Sequence, residues 1–90
     1  MLWKRGVMRA KAAYELKVTR TGIAPGRLAS PDRFDHVELV RLDDLEPVLF
    51  WDVPARATGR VEAAIRADLE RLDADEFLAS WAAFDPQTDL

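Results

Sequence analysis

The sequence predicts an α+β domain: a three-stranded antiparallel sheet (strand, loop, hairpin) followed by two helices packed on one face. Three patterns predict it. Residues 13–19 alternate apolar and polar side chains, the period of a strand with one buried face. Residues 36–53 hold two runs rich in β-branched and aromatic side chains around an acidic turn, which is a hairpin pattern. From residue 55 the apolar spacing lengthens to three and four, which is helical. Two helices laid over one face of three strands is the simplest way to cover them.

Composition sets the bounds. Ninety residues make one domain, and a chain this short buries a modest share of its surface, so a partner adds usefully to its stability. Apolar residues are 49% and charged residues 32%, the mixture of a folded protein. There is no cysteine, which excludes disulfides, thiolate metal sites and thiol nucleophiles. That absence fits a reducing, cytoplasmic setting. Ten Arg against three Lys, abundant Ala and no Asn suggest a GC-rich bacterial genome. No apolar run is long enough for a membrane span. Residues 1–8 carry Lys4 and Arg5 without a secretory apolar stretch, and Met8 offers an alternative start.

Charge is segregated. Residues 1–27 hold seven basic side chains and one acidic one, whereas residues 28–90 hold six basic and fifteen acidic. A basic arm on an acidic body suits nucleic acid, through Lys4, Arg5, Arg9, Lys11, Lys17, Arg20 and Arg27. The competing expectation is that the arm lies on the body's own acidic surface.

In chain order, residues 1–12 show no period and read as a basic arm, with Trp3 as a possible anchor. In residues 13–19, Tyr14, Leu16 and Val18 point one way and Glu15, Lys17 and Thr19 the other. A charged wet face suits an edge strand. Residues 21–35 form a long connection broken by Gly22, Pro25, Gly26 and Pro31. Ser30-Pro31 offers a helical turn over residues 31–34, with Phe34 folded inward.

Residues 36–42 and 47–53 are the hairpin strands. With Asp44 and Leu45 at the tip, Val40 faces Leu49, Leu42 faces Pro47 and Glu38 faces Trp51. On the other side Val37 faces Asp52, Leu39 faces Phe50 and Arg41 faces Val48. Both faces then come out largely apolar.

Residues 55–72 form the first helix. Val61, Ala64, Ile65, Leu69 and Leu72 line its inner side, with Asp68 as the one polar interruption. Glu62–Arg66 and Arg66–Glu70 are i,i+4 pairs worth a few tenths of a kcal/mol each. Gly59 costs roughly 1 kcal/mol against Ala, which favours a start nearer Thr58. Asp73 and Glu76 make a capping box for a second helix over residues 74–84, whose sticky side is Phe77, Leu78 and Trp81. Asp85-Pro86 stops it, leaving 86–90 as a loose tail around a domain of residues 13–85.

No chemistry is implied. His36 is the single histidine, and neither a nucleophile nor a substrate motif surrounds it. Asp43, Asp44 and Glu46 lack the spacing of a calcium loop. The segment Gly22–Gly26 has three residues between its glycines, not four, and Arg-Leu where a phosphate loop has Lys-Ser/Thr. Ser30 and Ser80 sit in no nucleophile elbow. The expectation is therefore a non-enzymatic protein-interaction module, without metal or cofactor. Nucleic-acid binding by the basic segment is the alternative, and a small-ligand site in the 21–36 loop with Arg27 and His36 is a third.

Two helices cover one face of the sheet, so a hairpin with two apolar faces requires something over the other. Val40, Leu49, Trp51 and Val53 are the expected contact surface, most simply with a second copy. On that expectation, Trp51→Arg dissociates an oligomer without unfolding the chain, as sedimentation and circular dichroism would report.

Overall fold

In a computed structural model of the chain, which describes residues 8–20 and 33–90, the α+β class holds. The elements are α1 (Ala10–Ala13), β1 (Tyr14–Thr19), β2 (Phe34–Arg41), β3 (Pro47–Pro54), α2 (Ala55–Arg71), α3 (Ala74–Ala82) and α4 (Pro86–Asp89). The sheet runs β1-β2-β3, with both pairings antiparallel.

The hairpin register differs from the sequence expectation by one residue. Val37 pairs with Trp51, Leu39 with Leu49 and Asp35 with Val53, while Glu38 pairs with Phe50 and His36 with Asp52. Two local features set this register. Residues 42–46 form the loop, closed by Leu45 N–H to Arg41 O (2.7 Å) and Arg41 N–H to Glu46 O (2.9 Å). Leu45 adopts φ 61°, an unusual conformation for a non-glycine residue. Asp44 holds the loop by accepting from Glu46 N–H (3.1 Å) and from Arg41 Nη1 (3.1 Å). An irregularity between Leu39 and Val40 then shifts the ladder, so that Val40 meets Pro47.

That one-residue step gathers the apolar sets of β2 and β3 on a single face. Leu16, Val37, Leu39, Trp51 and Val53 form the floor of the core. Ala57, Val61, Ile65 and Leu69 of α2 and Phe77 and Trp81 of α3 form its roof. The sheet does not have the two apolar faces that the sequence reading required.

Helix α2 begins at Ala55, before Thr58, with Pro54 as its cap residue. Asp68 turns out to be the acceptor for the Trp81 indole N–H (3.0 Å) and for Arg71 Nε (3.0 Å). A buried indole N–H needs such a partner. Asp73 and Glu76 form the capping box of α3, with Glu76 N–H to Asp73 Oδ1 at 2.9 Å. Trp51, Trp81 and Phe84 meet edge to face with centroids 5.1 to 5.9 Å apart. The tail forms α4, capped by Asp85.

The arm is tied down from Met8 onward. Ala74 N–H donates to Met8 O (2.7 Å), Ala10 N–H donates to Leu72 O (3.0 Å), and Ala10 is fully enclosed. The start of the arm, with Trp3, lies outside the described residues, as does the Ser30-Pro31 turn. Phe34 is not folded inward: it opens β2 and is 40% exposed.

A methyl group added at Gly59 would meet no atom within 4 Å. Gly59→Ala is therefore expected to stabilise the fold by roughly 1 kcal/mol, read as a higher urea midpoint at unchanged slope.

Candidate interaction surfaces

The four residues expected to form a contact surface do not form one. Val53 is fully enclosed, and Trp51 lies under α3 against Trp81 and Phe84. Leu49 is half-buried on the same core-facing side, opposite Leu39. Val40 is on the reverse side of the sheet and only 5% exposed. The cause is the register, which turns the inner side chains of β3 toward the helices. Trp51→Arg should accordingly unfold the chain, contrary to the sequence expectation.

The reverse face carries a different set. Alternation places Phe34, His36 and Glu38 of β2, Phe50 and Asp52 of β3, and Lys17 and Thr19 of β1 there. Phe50 is 55% exposed. The His36 ring stacks on Phe50 with centroids 5.5 Å apart. His36 Nδ1–H donates to Asp52 Oδ1 (2.6 Å); a carboxylate only accepts, so this nitrogen carries the proton. The result is an aromatic row, Phe34–His36–Phe50, rimmed by Lys17, Glu38 and Asp52. The only sequence signal for this row was the even-numbered spacing of Phe34, His36 and Glu38.

A second cluster escaped the sequence reading. Asp35 points to the core side and is fully enclosed. Thr58 Oγ1 of α2 donates to its Oδ2 (2.8 Å), and Arg20 Nη1 lies 3.4 Å from the same oxygen. Arg33 Nε lies 3.6 Å from Oδ1. Arg20 also reaches Glu62 Oε1 (3.4 Å). One carboxylate thus ties the end of β1, the start of β2 and the first turn of α2. Both of its oxygens face cations, which fits a brace better than a proton-transfer group.

Among the described residues, several basic side chains meet the chain's own acids. Lys11 Nζ pairs with Glu70 Oε1 (3.1 Å) and Arg20 is held by Asp35 and Glu62, whereas Arg9 Nη1 donates to the main-chain carbonyl of Glu70 (3.3 Å). Lys17 forms no ion pair among the described residues, while Lys4, Arg5 and Arg27 lie outside them. For Arg9, Lys11 and Arg20, this arrangement favours contact with the chain's own body over phosphate binding. Asp43, Asp44 and Glu46 form a hydrogen-bonded turn, and no group of three His, Asp or Glu among the described residues is placed to hold a metal ion. No described helix is long and apolar enough to cross a membrane.

Comparison with family models, curated proteins and solved structures gives no match for this chain.

Asp35→Ala leaves Arg20, Arg33 and Thr58 without their shared acceptor. It is expected to cost about 3–5 kcal/mol, the penalty for breaking a buried ion pair from one side. Thr58→Val should cost about 1 kcal/mol by the same denaturation measurement.

Proposed function

We propose that the chain is a non-enzymatic protein-interaction module that docks a partner on the open face of its sheet. The observation that carries this reading is the exposure of Phe50 (55%) and Phe34 (40%) on the face away from the helices. Large aromatic side chains in water are costly, and a solvated sheet face ordinarily carries polar ones. An aromatic centre with a mixed-charge rim is the anatomy of a protein-binding patch. His36, fixed by Asp52, holds the Phe50 ring in place, so little side-chain freedom is lost on docking.

A photo-crosslinking residue at position 50 should trap a protein partner in the native host, whereas one at Ala67 on the exposed side of α2 should not. Phe50→Glu should abolish that complex while leaving the chain folded, at a cost of about 1 kcal/mol because Glu38 faces position 50. Equal trapping at both positions, or a complex indifferent to Phe50→Glu, would overturn the reading.

A further inference from the structure

The outer edge of β1, beside which no described strand lies, is a second surface, with its own logic. Leu42 N–H donates to Ala13 O (2.9 Å), which fixes the hydrogen-bonding phase of β1 against β2. In an antiparallel ladder that phase alternates, so residues 13, 15, 17 and 19 turn their peptide groups toward β2. Residues 14, 16 and 18 turn theirs outward. Tyr14 N–H returns to Ala10 O at the end of α1. The N–H and C=O groups of Leu16 and Val18, and the Tyr14 C=O, meet no backbone partner among the described residues.

The opposite edge is better protected. Ala55 N–H donates to Arg33 O (2.9 Å), so only a few peptide groups of β3, those of Phe50 and Asp52 among them, turn outward. Prolines 47 and 54 bracket that stretch. β1 has no proline, and a groove of about 270 Å³ runs beside it, lined by Lys11, Tyr14, Glu15, Leu16, Arg66 and Glu70 among others.

We infer that β1 pairs antiparallel with β1 of a second copy, joining the two sheets into one of six strands. The charge pattern selects this occupant. Centred on Leu16, the two-fold axis sets Glu15 opposite the partner's Lys17, and Lys17 opposite the partner's Glu15. Those are non-hydrogen-bonded positions, where facing side chains come closest. Leu16 exchanges both backbone bonds with its counterpart, and Val18 N–H reaches the partner's Tyr14 C=O. Half-buried Tyr14 and Val18 cover one another on the core side. Neighbouring registers set Glu15 against Glu15 or Lys17 against Lys17, so like charges disfavour them. Glu15 and Lys17 are exposed and form no ion pair among the described residues, so both are available for this contact. The inference rests on the strand edge and is independent of partner docking on the open face.

Charge reversal tests it by sedimentation over a micromolar concentration series. The wild type should dimerise. Glu15→Lys and Lys17→Glu should each weaken the dimer about tenfold or more, because each places like charges in contact twice. An equimolar mixture of the two variants should recover the dimer, since every facing pair is then opposite in sign. The double variant Glu15→Lys/Lys17→Glu should recover it alone. Lys17→Glu also sets a second acid beside Glu38 of its own sheet, so recovery in the mixture doubles as evidence that it folds. A wild type that stays monomeric, single variants that dimerise normally, or a mixture that fails to recover would each overturn the inference. Phe50→Glu separates the two surfaces: it should leave the dimer intact, and dissociation by it would move self-association to the open face.

Discussion

Side chains alternate across a strand, so a one-residue step between β2 and β3 exchanges every cross-strand partner. The step this chain adopts pairs Val37 with Trp51 and Leu39 with Leu49. Floor and roof then match in extent: two helices are enough for one apolar face. The polar members of the hairpin, His36, Glu38 and Asp52, collect on the reverse side and leave Phe34 and Phe50 among them. The enclosed aromatic cluster and the exposed aromatic row therefore share one origin.

Two carboxylates sit where apolar side chains would be expected, and each has a specific task. Asp68 accepts from the Trp81 indole, which lets a large side chain sit 9% exposed without an unmet donor. Asp35 gathers Arg20, Arg33 and Thr58. Burying a charge is costly unless cations and donors surround it, so the enclosed Asp35 fixes geometry more than it adds stability.

The parts of this fold legible in the sequence were those encoded locally. The alternation of β1, the three-four spacing of α2 and the Asp73–Glu76 capping box each depend on residues a few positions apart. The register was not legible, because it depends on Leu45 taking a left-handed conformation that Gly or Asn would have advertised. The proposed surface through Trp51 and Val53 inherited that error. The Asp35 brace was hidden for another reason: its partners at 20, 33 and 58 come from three separate segments, and a carboxylate just ahead of a strand resembles loop chemistry. Asp68 stood out as an interruption, but nothing local pointed to an indole 13 residues onward.

The brace also bears on how this chain could diversify. Arg20 follows β1 and Arg33 precedes β2, and both are anchored to the same enclosed carboxylate. Groups that share one acceptor act as a unit, so a change at any of them alters what the others contribute. Arg20, Arg33 and Thr58 would then vary together, with Asp35 as the clasp.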